Sequence, residues 1–179
     1  DEERVTRSYL RGGAHPVHRL DAETTGIVLF AKLPYVQAHI QRQMQADTFR
    51  KEYLALVCGV LPESEGVIDA PIDRVAPDSF TRAVLPGGQR AVTRYRVEAA
   101  LRDISLVRLF PVTGRTHQLR VHMAHIGHPV AGDFLYGQED AALPERFALH
   151  SAYLALCWDG KRMAWESPLP EELKALLEK

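Results

Sequence analysis

Cysteine is scarce in this sequence: Cys58 and Cys157 are the only two in 179 residues. They lie far apart, each beside apolar neighbours, and form no CxxC pair. A disulfide framework is thereby excluded, and both read as small buried side chains in a reducing compartment, so a cytoplasmic protein is expected. Long apolar runs are also missing. None approaches the roughly 20 residues that cross a bilayer, so no membrane partner is expected. The opening Asp1-Glu2-Glu3-Arg4 is not a secretory signal and lacks a Met, which suggests a processed chain or an excerpt of a longer one. There is no internal repeat, low-complexity tract or linker. GxxxxGK[ST] and GxGxxG are absent, which removes the common nucleotide-phosphate loops. GxSxG and HExxH are absent too, which weakens a serine hydrolase and a zinc protease.

What is present is an ordinary globular composition, 46% hydrophobic and 25% charged. The length suits one domain over residues 1–179. Residues 26–32 form a short apolar run, expected to be a buried strand. Pro34 opens a helix whose Val36, Ile40 and Met44 recur every fourth position. A strand over 51–60 would put Tyr53, Ala55 and Val57 on one face. Pro86-Gly87-Gly88 marks a turn between strand-like flanks at 80–85 and 91–99, and residues 104–112 form a further strand. Residues 116–126 switch to helical spacing through Leu119, Met123 and Ile126, with Gly127 as the closing glycine. Asp159-Gly160 joins two strands as a hairpin, and a short amphipathic helix follows Pro170. Strands outnumber helices, so the fold class is α+β: a mainly antiparallel central sheet flanked by helices and loops.

Net charge is only −1, but it is unevenly spread. Residues 80–125 carry eight basic side chains, all arginine, and two acidic ones, whereas 61–79 carry one and five. Arginine's planar fork suits phosphate. The same pattern also fits solvated strand faces. Three clusters stand out. Asp21, in His18-Arg19-Leu20-Asp21, reads first as a turn or cap residue. Residues 111–122 crowd Arg115, His117, Gln118 and Arg120 around a helix start. Two arginines there oppose the helix dipole, and a carboxylate or phosphate would relieve that conflict. The loop Gly127 to Asp133 is punctuated but carries no obvious role. His122, His125 and His128 invite a metal reading, yet His128 lies beyond Gly127 and no Cys pair is near, so no metal is expected.

These clusters resemble the motifs of the RluA-type pseudouridine synthases. His18-Arg19-Leu20-Asp21, Thr24-Thr25-Gly26 and Ala31-Lys32 look like the first motif, with Thr25 where the family more often has Ser. Gly114 to His122 resembles the Arg-containing motif; Gly127-His128-Pro129 through Gly132-Asp133 and Tyr136-Gly137 also match. Lys51 and Tyr53 are similar to the Tyr motif, and Leu149-His150 to the late Leu motif. The likeness runs from about residue 16 to 168. The family's usual upstream strand, and the RNA-binding S4 domain of many members, have no counterpart in these residues.

The resemblance implies the pseudouridine synthase catalytic fold and isomerisation of uridine to pseudouridine in structured ribosomal or transfer RNA. It makes Asp21 the catalytic carboxylate, with Arg115 beside it, since a nearby arginine favours the charged form. Tyr53 would stack on the detached base and take a C2′ proton. Leu149 and Leu20 would wall the pocket, while Arg19, His117 and Arg120 would hold substrate. The carboxylate either adds to sugar or base, or assists loss of the C2′ proton; the second is preferred here. No redox change occurs, so no cofactor is expected. A monomer acting on RNA is the expectation, with a non-catalytic RNA-binding domain or a metal-dependent hydrolase as alternatives.

Overall fold

A computed structural model describes residues 13–45, 48–143 and 146–178. Its centre is a sheet of six strands plus one short parallel addition. The strands are β4 (Arg50–Cys58), β5 (Glu65–Asp69), β8 (Val92–Leu101), β9 (Ile104–Pro111), β10 (Leu149–Trp158) and β11 (Lys161–Glu166). Their spatial order is β11-β10-β4-β9-β8-β5, antiparallel throughout. A two-residue strand β2 (Thr25–Gly26) adds to β10 in parallel. Two small ladders stand apart: β1 (His15–Pro16) with β3 (Phe30–Ala31), and β6 (Ile72–Arg74) with β7 (Arg82–Val84). The α+β class and the antiparallel sheet expected from the sequence are both present.

Helix α1 (Pro34–Gln45) starts at the proline that fixes its first turn. It presents Ile40 to Phe49 and to Leu154 and Leu156 of β10, forming a second core cluster. Helix α2 (Gln118–His125) sends Leu119 and Met123 into the main cluster, where they meet Leu173 and Leu176 of α3 (Glu171–Leu177). Tyr53, Ala55 and Val57 of β4 are buried as expected, and Leu56 between them is fully buried as well. β4 is therefore covered on both faces, and each such leucine contributes roughly 1.5–3 kcal/mol. α2 closes with a Schellman pair: His128 N–H donates to the Met123 carbonyl and Gly127 N–H to that of Ala124. Gly127 is left-handed there (φ 86°), the role read from its position. Asp159 and Gly160 both have positive φ, as a tight two-residue hairpin requires.

One reading needs correction. Residues 26–32 are not one buried strand. Gly26 pairs with β10, the chain then alternates between half-buried and exposed residues, and β3 pairs with β1. The reason is Gly26 itself, whose φ of 104° breaks extended geometry. The turn at Pro86-Gly87-Gly88 is present between two strands, as expected, and each finds its partners elsewhere. β7 pairs with β6, and β8 with β5 and β9. β5 and β6 come from the acidic stretch that carried no strand signal.

Gly26 has no room for a side chain: a Cβ would sit 2.2 Å from the Ser151 carbonyl oxygen. Backbone cannot yield as a side chain would. Gly26→Ala is therefore expected to cost at least about 2 kcal/mol, a fall in Tm of roughly 4–8 °C. Thermal denaturation followed by circular dichroism checks this; an unchanged Tm would mean the β2–β10 bridge contributes nothing.

Candidate active site

The His18–Asp21 segment is fixed at both ends. Val17 N–H donates to the Leu29 carbonyl (2.9 Å), and Thr24 N–H closes a turn onto the Asp21 carbonyl (3.0 Å). Beyond it, the Thr25 hydroxyl is 2.9 Å from His150 Nδ1, while His150 Nε2 lies 3.2 Å from the Ser167 carbonyl. A carbonyl can only accept, so Nε2 carries the proton and Thr25 donates to Nδ1. Ile27 N–H donates to the Ser151 carbonyl. The hydroxyl at position 25 thus ties the Asp21 loop to the start of β10.

The second segment is organised by Gln118. Its Oε1 accepts from the Arg115 amide (2.9 Å) and the Thr113 hydroxyl (2.7 Å). Its Nε2 donates to the Val92 carbonyl and to Thr93 Oγ1. Thr93 passes a proton on to His122 Nδ1, and His122 Nε2 donates to the Ala70 carbonyl. His122 is thus a core hydrogen-bond bridge. Among the described residues no group of three or more His, Cys, Asp or Glu could hold a metal ion. His117, just before α2, is left-handed at φ 55°, which is strained for a residue with a Cβ. Its Nδ1 meets the Tyr136 hydroxyl at 2.7 Å, and that oxygen also accepts the Arg82 amide. Burial pushes the His117 imidazole down, against the pull of Asp21. With Nδ1 accepting from Tyr136, Nε2–H of the neutral ring is free to donate.

Between these segments sits Arg120, 2% exposed. Its Nε and Nη2 donate to the two oxygens of Asp133 (2.7 and 2.8 Å), a fully buried carboxylate. Its Nη1 donates to Asp21 Oδ2 at 3.3 Å. The guanidinium carbon lies 4.0 Å from the Phe147 ring centroid and 5.0 Å from that of Tyr136. Burial opposes the charge on Arg120, but the two carboxylates outweigh it. Asp133 Oδ1 also accepts the amides of Leu135 and Tyr136. At Arg120 the helix-dipole conflict foreseen in the sequence is relieved by protein carboxylates.

All eight residues singled out from the sequence line one cavity of about 230 Å³: Asp21, Tyr53, Arg115, Arg19, Leu20, Leu149, His117 and Arg120. The ion pairing differs from the expectation, however. Asp21's ion-pair partner is Arg120, and Arg115 is exposed, its Nε donating to the Arg90 carbonyl (3.1 Å). Arg115 precedes α2 and points across the loop, whereas Arg120 lies in the first turn of the helix and faces the core. Tyr53, buried on β4, has its phenol pushed up to about 12 by burial and by the nearby Asp21 charge. Asp133 was missed as a site residue; Gly132-Asp133 had been matched as a motif without a function. His18 and Lys51 also line the cavity. Of the eight arginines of 80–125, Arg96 and Arg108 bind Glu98, Arg108 also binds Glu52, and Arg120 is core. They do not form one free face.

The RNA pseudouridylate synthase family profile matches residues 2–125. The chain is 44% identical over 173 residues to ribosomal large subunit pseudouridine synthase D of Nitrosomonas europaea, spanning 90% of this chain and 50% of that protein. It is 42% identical over 176 residues to its namesake in Pseudomonas aeruginosa, spanning 90% and 55%. Among solved structures, human RNA pseudouridylate synthase domain containing 1 superposes with a TM-score of 0.78 at 28% identity, covering 98% of this chain and 83% of that one. The fold and the cavity define a pseudouridylate-synthase domain. This chain belongs to the RNA pseudouridylate synthase family, in its RluA-type group. It spans about half the length of the curated relatives it matches.

Asp133→Asn removes half of the charge that neutralises Arg120 while keeping the side-chain shape. Breaking a buried pair from one side costs about 3 kcal/mol or more, so Tm should fall by roughly 6–12 °C. A Tm within a degree of the parent would show that Asp133 does not anchor Arg120.

Proposed function

We propose that the chain isomerises uridine to pseudouridine within RNA, with Asp21 as the reacting carboxylate. The observation that carries this reading is the Asp21–Arg120 pair, set in a cavity that also holds Tyr53 and Leu149. The names of the relatives favour ribosomal RNA of the large subunit over transfer RNA as the substrate class.

In the isomerisation the C1′–N1 bond breaks and a C1′–C5 bond forms, and the C5 proton ends on N1. Composition is unchanged, so neither oxidant nor cofactor is consumed. Asp21, about one-fifth exposed, is the group able to take the C2′ proton as uracil leaves with the C1′–N1 electron pair. It returns that proton when C5 adds back to C1′. Arg120 fixes the carboxylate's orientation and, being locked on Asp133, does not follow the substrate. Tyr53 is protonated at neutral pH because burial and Asp21 disfavour its phenolate. Its ring serves as a stacking face and its hydroxyl as a donor to the departing base. Leu149 closes the cavity against water. A uridine within a stem or loop is flipped out to reach this depth, at a cost of a few kcal/mol.

Asp21→Asn keeps size and one acceptor but removes the base. Pseudouridine formation is expected to fall by at least about 1000-fold, with RNA affinity within about twofold. Mass-spectrometric counting of pseudouridine in treated RNA is the measurement. Turnover above the level explained by deamidated protein would remove Asp21 from the chemistry.

Tyr53→Phe keeps the stacking face and loses the donor. Binding should persist, while turnover falls about 10-fold or more, the effect of losing one positioned proton donor. Single-turnover rates and filter binding on one RNA separate the two. Equal rates for Phe and Tyr would leave the ring as the only functional part.

A further inference from the structure

The β6–β7 ladder carries a pair of like charges that the proposed chemistry does not use. Arg74 and Arg82 are direct partners in its antiparallel register, so their side chains leave the same face of the ladder. Like charges set opposite each other in this way destabilise a sheet. Neither arginine makes an ion pair among the described residues. Instead each is held by a main-chain carbonyl of the loop between the strands. Arg74 Nη1 donates to Pro77 (2.8 Å) and Arg82 Nη1 to Ser79 (3.3 Å). A guanidinium has several N–H donors, so each keeps some to spare. A third arginine is tied to the same ladder. Gln89 exchanges two backbone bonds with Ile72 of β6 (2.9 and 3.0 Å), and the next carbonyl, that of Arg90, accepts Arg115 Nε at 3.1 Å. Arg115 is exposed and likewise makes no ion pair among the described residues. All three line one hollow of about 280 Å³. Asp73, the one carboxylate in that lining, has its Oδ1 on the Arg74 amide (2.7 Å). Three positive charges there meet one negative.

The hollow adjoins the substrate cavity. Gly114, Arg115 and Thr116 line both. The Arg82 amide donates to the Tyr136 hydroxyl (2.9 Å), and that hydroxyl meets His117 Nδ1 of the cavity wall at 2.7 Å. Planar forks grouped around one hollow match the oxygens of a phosphodiester. We infer that Arg74, Arg82 and Arg115 form a clamp for the RNA backbone beside the flipped uridine. The target nucleotide enters the cavity, and the strand next to it passes over the β6–β7 ladder. Its phosphates supply the negative charge that the cross-strand arginine pair lacks. This inference rests on the proposed RNA function and names a subsite of it.

The probes are an unmodified transcript of large-subunit ribosomal RNA and uridine 5′-monophosphate, each titrated into the full chain. Affinity for the transcript is followed across a range of salt. Arg74→Gln, Arg82→Gln and Arg115→Gln should each weaken it about 10-fold at low salt. Each should also flatten the slope of log affinity against log salt by about 0.7–0.9. Arg82→Lys should keep the slope and recover only part of the affinity, because a point charge replaces the fork. Arg94→Gln removes an exposed cation of β8 outside the hollow and should leave the slope as it is. Melting curves verify that the variants fold. Affinity for the mononucleotide should stay within about twofold in the Arg74 and Arg82 variants, since their contacts are to the neighbouring backbone. Unchanged slopes in the three Gln variants would overturn the clamp. So would equal flattening by Arg94→Gln, which would mean a diffuse field, or a parallel loss of mononucleotide affinity, which would put Arg74 and Arg82 in the cavity itself. Pseudouridine formed in the transcript by the unaltered chain is scored separately. A chain that isomerises while its slope ignores these arginines loses only the clamp, and one that shows the clamp but no product loses only the reaction.

Discussion

The guanidinium of Arg120 is the fixed point of this molecule. A cation at 2% exposure is costly unless it is paired and hydrogen-bonded. Asp133 takes two donors, Asp21 a third, and Phe147 packs on the flat face. Three distant parts of the chain are thereby held to one side chain: the loop of Asp21, the turn after α2 that carries Asp133, and the approach to β10 that carries Phe147. The asymmetry of the two carboxylates matters most. Asp133 is fully buried and bidentate, so it sets the arginine. Asp21 makes one longer contact and is about one-fifth exposed, so its second oxygen stays available to a ligand.

The imidazoles around this centre are kept neutral, and burial is the leading cause at His18, His117, His122 and His150. Their roles differ by what they face. His122 and His150 have both ring nitrogens engaged and act as bridges, each joining α2 or β2 to a neighbouring strand or loop. His18 and His117 both line the cavity, and each has one ring nitrogen in a hydrogen bond. Histidines three positions apart in the sequence had suggested a metal, but helix geometry sends His122 into the core, while His128 bonds the Cys58 carbonyl on another strand.

Much of this was legible in the sequence, and the illegible parts share a cause. Helix limits, the Asp159-Gly160 hairpin and the closing glycine of α2 are local, so propensity and spacing reveal them. The eight residues singled out from the sequence fall together in the cavity because they cluster in motifs. Which arginine meets Asp21 was not, because Arg115 and Arg120 sit in one motif and differ only in which way α2 turns them. Strand 26–32 was misread because an apolar run carries no sign of the positive φ at Gly26. β5 and β6 were missed because each is a short ladder whose formation depends on a partner far along the chain. The arginine-rich stretch likewise hid its partners: Glu52 and Glu98 come from two other points on the sheet.

The parallel bridge between β2 and β10 has a consequence for the order in which the molecule is made. Thr25 and Gly26 pair with His150 and Ser151, and the Thr25–His150 bond spans 125 positions of the chain. As the chain leaves a ribosome, the loop that carries Asp21 emerges first and waits while the intervening strands form. It acquires its final shape only when residues beyond 151 are free to fold. Chain closure over so long a separation is slow compared with a hairpin. The Asp21 loop is thus completed late, and a chain that ends before residue 150 lacks the partner of β2.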